Sequence, residues 1–248
     1  MQAEQNDSSH AKLERNGIAF AMMILFVASL GGLFEIAPLF TIENTVEEAP
    51  GMRPYTPLEL AGRDIYVREG CYACHSQMIR TLKSDVDRYG HFSLAAESMY
   101  DHPHQWGSKR TGPDLARIGG KYSDAWHVAH LIAPRDVVAG SVMPGYPFLA
   151  ETRLDTARLP ASLRALQIAG VPYTDEQVES ATLHALAQGD VEAEFEDELW
   201  ESYGDSVQVR DFDGNPDLLT EMDALVAYLQ MLGTLVKFDE IDVQEIAR

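Results

Sequence analysis

Two cysteines and a histidine form the densest group of reactive side chains in this sequence. Cys71 and Cys74 are the only two cysteines among 248 residues, and His75 follows them directly. Thiols three residues apart face the same side of a helical turn, where they can reach the two vinyl groups of one porphyrin. The adjacent imidazole can then bind the iron from one side. The C-x-x-C-H spacing therefore predicts one covalently attached haem c, with His75 as an axial ligand.

Two other chemistries use similar residues. A zinc site could take Cys71, Cys74 and His75 as three ligands, but it needs a fourth that the motif does not supply. A redox-active C-x-x-C pair is expected beside a β-α-β pattern, and the sequence shows no such pattern. Haem attachment is therefore the favoured interpretation, and the other two stay as alternatives.

An apolar segment near the N-terminus predicts a membrane anchor. Residues 17–40 contain one charged side chain, Glu35, and about 20 apolar residues suffice to cross a bilayer core. A cleavable signal peptide is the alternative, but its apolar region usually has only about 7–15 residues. Lys12 and Arg15 precede the segment and no lysine or arginine follows until Arg53. This asymmetry predicts a cytoplasmic N-terminus and a single-pass protein of a bacterial inner membrane, in contact with lipid.

Charge and composition narrow the class of protein further. The net charge of −20 excludes a nucleic-acid partner, whose phosphates would repel the chain.

Covalent haem attachment and the predicted orientation both place the residues after the anchor in the periplasm. We expect a cytoplasmic N-terminus (1–16), a transmembrane anchor (17–40), a linker (41–55) and a periplasmic mono-haem domain (56–248) with an acidic helical insertion at about 151–215.

The periodicity of the larger part predicts an all-α domain with helical and loop insertions. Thr56 and Glu59 form a capping box around Pro57, which predicts a helix leading into the cysteines. Further helices are expected from Thr174 and over Asp190–Tyr203, whereas residues 84–110 lack periodicity and are predicted to be a loop. A last helix is predicted from an apolar stripe that comprises Leu218, Met222, Leu225, Leu229 and Leu232.

The second axial ligand is predicted on a stiff loop. Met143 is followed by Pro144, Gly145 and, after Tyr146, by Pro147, so it cannot lie inside a helix. Such a loop can hold a thioether over the iron at a low cost in conformational entropy. The alternatives are bis-histidine ligations through His91, His127 or His130.

Several of these residues resemble class I c-type cytochromes. Gly62, Tyr66 and Tyr228 stand where that family crosses its first and last helices at a glycine–aromatic contact. The Met-Pro step at Met143 resembles the family's sixth-ligand loop. Residues 111–115 resemble its G-P-x-L segment, which implies that the carbonyl of Pro113 accepts a hydrogen bond from the ring of His75.

Longer motifs resemble the mono-haem subunit of cbb3-type cytochrome c oxidases. The resemblance covers nearly the whole chain and departs from the family at Thr81, at Gly145 and over Asp190–Asp213. The matching stretches are residues 68–80, 89–91, 101–103, 106–117, 141–144, 170–174 and 228–234.

The resemblance implies an electron-transfer subunit of a proton-pumping haem–copper oxidase that itself catalyses no oxygen chemistry. Its partners would be a di-haem cytochrome subunit or a soluble cytochrome c as donor, and the haem b of the catalytic subunit as acceptor. We expect residues 84–110 to dock on the catalytic subunit, and Arg110, Arg117 and Lys121 to pair with haem propionates. The cytochrome subunit of a nitric oxide reductase and a membrane-anchored haem sensor are the alternative functions.

Overall fold

The computed structural model describes residues 9–40, 46, 49–107, 109–189 and 195–238. The chain divides at Val46 into two units. Helices form its elements, and no β-strand occurs within the described ranges. This confirms the predicted fold class, an N-terminal apolar helix followed by an all-α domain.

The first unit consists of helices α1 (Ser9–Arg15) and α2 (Gly17–Ile36), with a 3₁₀ turn at Ala37–Phe40. The side chain of Asn16 accepts a hydrogen bond from the backbone N–H of Ala19 at 3.2 Å and so caps α2. The apolar side chains of α2 are exposed within the unit. Among the described residues, Gly17–Phe40 alone is long and apolar enough to cross a bilayer, so α2 fits a membrane anchor.

The second unit contains the remaining helices. They are α3 (Pro57–Arg68), α4 (Lys83–Tyr89), α5 (Asp124–Ile132), α6 (Pro134–Val137), α7 (Leu159–Ile168), α8 (Asp175–Glu179), α9 (Ala181–Gly189), α10 (Glu196–Tyr203) and α11 (Glu221–Met231). The helices α3 and α11 pack against each other in the centre of the apolar core. Helix α9 packs on α3, while α5 packs on α11.

Helix α3 begins as the sequence predicts. The hydroxyl of Thr56 accepts from the N–H of Glu59, and the Glu59 carboxylate accepts from the N–H of Thr56. Arg53 donates to both Glu59 oxygens at 2.7 Å, and both side chains are buried. The start of the helix is therefore held by a charge-assisted pair as well as by its cap.

The two central helices touch at a glycine. A Cβ built on Gly62 would overlap the carbonyl oxygen of Ala224 and lie 2.7 Å from the Cβ of Tyr228. The rings of Tyr66 and Tyr228 lie 5.8 Å apart between their centroids. The predicted glycine–aromatic contact is therefore present, and only a residue without a side chain permits this approach.

Three predicted boundaries need correction. Residues 84–110 are not a structureless loop, because most of α4 and a 3₁₀ turn at Ala95–Ser98 lie within them. The predicted helix over Asp190–Tyr203 begins at Glu196 instead, and residues 190–194 lie outside the described part of the chain. The helix expected from Thr174 is divided into α8 and α9 at Ser180.

We predict that Gly62→Ala destabilises the protein by about 3 kcal/mol, because the added methyl group meets backbone and α11 must shift. Gly140→Ala is the control, since no atom lies within 4 Å of its added Cβ. Urea unfolding of the full chain in detergent, followed by circular dichroism, measures both. Equal stabilities of the two variants would contradict the close contact.

A second prediction concerns Asp223, whose carboxylate is 2% exposed near the start of α11. Burial and the nearby Asp213 raise the pKa of Asp223 from 3.8 to about 6. A raised carboxyl pKa means that the folded state binds the proton more tightly, so stability falls as the pH rises from about 4 to 6. Over this pH window the free energy of unfolding falls by at most about 3 kcal/mol. The difference in unfolding free energy between Asp223→Asn and wild type should change by this amount across that window, and a constant difference would contradict the shift.

Candidate cofactor site

The cysteines lie on a single turn that follows α3. Gly70 adopts a positive φ of 72° and redirects the chain into a 3₁₀ turn at Cys71–Ala73. The carbonyl of Cys71 then accepts from the N–H of Cys74 at 3.1 Å and of His75 at 2.9 Å. Both thiols are free, that of Cys71 half-buried and that of Cys74 exposed. The turn thus holds two thiols and an imidazole in a short, fixed segment.

The two alternative chemistries fit this turn poorly. Burial, with Glu69 beside it, raises the pKa of the Cys71 thiol to about 11, whereas a redox-active thiol needs a lowered pKa. Among the described residues, the donor atoms of Cys71, Cys74 and His75 do not converge as a zinc site requires. One group does converge, and it comprises Asp211, Asp213 and Asp223.

The imidazole of His75 is held in one orientation. Its Nδ1 lies 2.8 Å from the carbonyl oxygen of Pro113. A carbonyl oxygen only accepts, so Nδ1 carries the hydrogen and Nε2 is the nitrogen left for a metal. This is the contact that the G-P-x-L resemblance implies, and such a bond fixes the tautomer and increases the basicity of a metal-bound imidazole.

The segment before Pro113 packs directly against this ring. A Cβ on Gly112 would overlap three atoms of the His75 imidazole. The N–H of Gly112 donates to the carbonyl of Cys74 at 2.9 Å, and the N–H of Leu115 donates to that of Ser76 at 2.8 Å. The two segments therefore run side by side. The sequence places Gly112 in the motif but does not reveal that this glycine makes room for the imidazole.

A second glycine, Gly107, packs against the backbone of the cysteine–histidine motif. Gly107 has a φ of 62°, and a Cβ there would lie 3.1 Å from the carbonyl oxygen of His75. The preceding residue, Trp106, accepts a backbone hydrogen bond from Gln77 at 2.9 Å. The hydroxyl of Tyr228 donates to the Gln77 side chain at 3.0 Å, which ties the motif to α11.

Met143 lies on a loop that is attached to the end of α5. The N–H of Tyr146 donates to the carbonyl of Leu131 at 2.7 Å, and Arg135 donates to the carbonyl of Ser141 at 3.1 Å. Met143, Tyr146 and Cys71 are all partly buried against the same apolar core. Burial raises the pKa of Tyr146, and the nearby Cys71 thiol raises it further.

The three alternative histidines lie in different surroundings. The Nδ1 of His91 is 2.7 Å from the carbonyl of Phe92, and its ring stacks on Phe238. His127 is buried, which lowers its pKa to about 4. Burial and the nearby His75 lower the pKa of His130. His130 is therefore close enough to His75 for their charges to interact.

The two arginines expected at the haem propionates, Arg110 and Arg117, form ion pairs with carboxylates of the protein. Arg110 binds Asp85 at 2.9 Å and Asp114 at 3.4 Å. Arg117 forms an ion pair with Glu97 at 2.5 Å. Their charges are thus compensated within the protein, and their pairing with haem propionates stays a prediction. Lys121 is exposed, and its ammonium lies 5.8 Å from the ring centroid of Tyr122.

The residues present fit a haem c. Two free thiols stand three residues apart, the imidazole is oriented with Nδ1 engaged, and a thioether lies on a braced loop beside the same core. The described residues bring together Cys71, Cys74, His75 and Pro113, and Met143 packs against the same apolar core as Cys71.

Comparison with known proteins adds an independent finding. The family model described as "Cytochrome C oxidase, mono-heme subunit/FixO" matches residues 10–236. A search of curated proteins finds no match.

We predict that Gly112→Ala displaces the His75 ring, because the added methyl group and the imidazole cannot occupy the same volume. The absorption spectrum of the haem-loaded protein should then shift from low-spin towards high-spin iron. Gly140→Ala, which adds its methyl group in open space, should keep the wild-type spectrum. A low-spin spectrum in the Gly112→Ala protein would contradict this packing.

Proposed function

Because this chain belongs to the family of mono-haem cytochrome c oxidase subunits, we propose that it relays electrons through one haem c held by Cys71, Cys74, His75 and Met143. The family model covers residues 10–236, and it confirms the family that the motifs indicate. The chain is thus an electron-transfer subunit of a cytochrome oxidase complex. Membership of such a complex implies that a catalytic subunit is its partner.

Each residue of the site has a distinct part in this proposal. Cys71 and Cys74 fix the group covalently, which their spacing on one turn supports. His75 would bind the iron through Nε2, and Pro113 keeps the imidazole oriented through Nδ1. Met143 would be the second protein ligand, and the braced loop that carries it supports this role. A haem bound in this way supplies a one-electron couple with a raised reduction potential.

This ligand set favours electron transfer over oxygen binding. With His75 and Met143 both bound to it, the iron would have no open position for a gas. The thioether loop is held at both ends by hydrogen bonds from Tyr146 and Arg135, which keeps Met143 in place. The subunit therefore carries electrons and leaves the catalysis to its partner.

We propose that the electrons come from a di-haem subunit or a soluble cytochrome c and pass to the haem b of the catalytic subunit. The apolar helix α2 would anchor the subunit in the inner membrane, with the haem domain in the periplasm. The exposed rings of His104 and Trp106 stack at 4.5 Å, and the Trp106 carbonyl is bonded to Gln77 beside the motif. This supports residues 84–110 as the docking surface.

The two alternative functions are less well supported. The family match to an oxidase subunit favours an oxidase over a nitric oxide reductase. A haem sensor needs a displaceable ligand, whereas the Met143 loop is fixed at both ends.

We predict that Met143→Ala lowers the reduction potential of the haem by on the order of 100 mV. The thioether ligand stabilises ferrous iron, and the variant lacks this ligand. Potentiometric titration of the assembled complex measures the potential, and an oxygen electrode measures turnover, which should fall. Ile168→Ala shortens an exposed apolar side chain outside the proposed docking surface and should change neither quantity. An unchanged potential and unchanged turnover in Met143→Ala would exclude Met143 as a ligand.

A further inference from the structure

A buried carboxylate joins the two segments that hold the imidazole. The side chain of Asp114, directly after Pro113, is 0% exposed. It accepts from the hydroxyl of Ser76 at 2.5 Å and from the N–H of Met78 at 3.0 Å. It also accepts from the N–H of Ala116 at 2.8 Å. One side chain therefore bonds to the segment after His75 and to its own segment.

Arg110 completes this arrangement. Its Nε donates to the hydroxyl of Ser76 at 2.7 Å, and its Nη2 donates to the carbonyl of Met78 at 2.9 Å. The same guanidinium lies 3.4 Å from Asp114 and 2.9 Å from Asp85 on α4. We call Ser76, Arg110 and Asp114 the polar clamp. It connects α4, the cysteine–histidine motif and the Pro113 segment.

Burying the charged groups of the polar clamp costs free energy, so their hydrogen bonds must keep a well-defined geometry. An ionised carboxylate loses its hydration when buried, and only well-formed hydrogen bonds and an opposite charge offset that loss. Removing any partner leaves a buried polar group unsatisfied. The relative position of Ser76 and Asp114 is therefore fixed, and with it the separation of their neighbours, His75 and Pro113.

We propose that the polar clamp positions the Pro113 segment against His75, sets the strength of the hydrogen bond between them, and through that bond sets the reduction potential of the haem. The inference rests on the proposed function, in which His75 binds the iron. A stronger bond from Nδ1–H to the carbonyl makes the imidazole a better electron donor, which favours ferric iron. Loosening the clamp weakens that bond and raises the potential.

Two variants separate positioning from charge. Asp114→Asn removes the buried charge and disturbs the bonds to Ser76 and Met78, whereas Ser76→Ala removes a hydroxyl and leaves every charge in place. Asp223→Asn is the control, because this carboxylate is also buried and bonds to Phe212, Asp213 and Thr220 instead. It reports the effect of removing a buried carboxylate that makes no contact with the polar clamp.

The full-length protein in detergent is titrated spectroelectrochemically, and electron paramagnetic resonance of the ferric form reports the axial ligand field. We expect both Asp114→Asn and Ser76→Ala to raise the potential and to change the ferric g-values, while Asp223→Asn changes neither. An unchanged potential in Ser76→Ala, or shifts no larger than those of Asp223→Asn, would overturn the positioning role.

The same preparation distinguishes this inference from the proposed function. A wild-type protein without covalently attached haem, measured from its pyridine haemochrome spectrum, would overturn both. A haem-loaded wild type with unaffected variants would overturn only the positioning role. If Asp114→Asn fails to fold, Ser76→Ala still decides the question, because it removes a single hydroxyl.

Discussion

The contact between α3 and α11 at Gly62 is the constraint on which the other features depend. Since the backbone of α11 lies against this glycine, α3 has a fixed position in the core. The turn that carries Cys71 begins three residues after Arg68, where α3 ends, so the position of α3 fixes the position of the thiols. A side chain at residue 62 would separate the helices and move the turn with them.

The site itself is built mainly from backbone and glycine. The His75 ring lies between the carbonyl of Pro113 and the Cα of Gly112, which carries no side chain. Gly107 packs against the backbone of His75. These contacts leave the imidazole little freedom, and the polar clamp keeps the two segments together. A cofactor that exchanges electrons benefits from such rigidity, because a ligand field that does not change keeps the potential constant.

The sequence predicts the parts of this structure that depend on local chemistry. The capping box at Thr56 and the C-x-x-C-H turn are short patterns, and both lie where they are expected. Helix α4 could not be predicted, because it has seven residues and Arg110, 25 positions after Asp85, braces it. The sequence does not reveal the partner of Arg110 either, because an arginine near the motif could bind a protein carboxylate or a haem propionate.

The central claim is that both axial positions of the haem are filled by the protein, so that the iron carries electrons and does not bind gases. Adding carbon monoxide to the reduced, full-length subunit and recording its absorption spectrum tests this most directly. The account predicts that the spectrum of the haem c stays unchanged. Rapid, stoichiometric binding of carbon monoxide at this haem would contradict it.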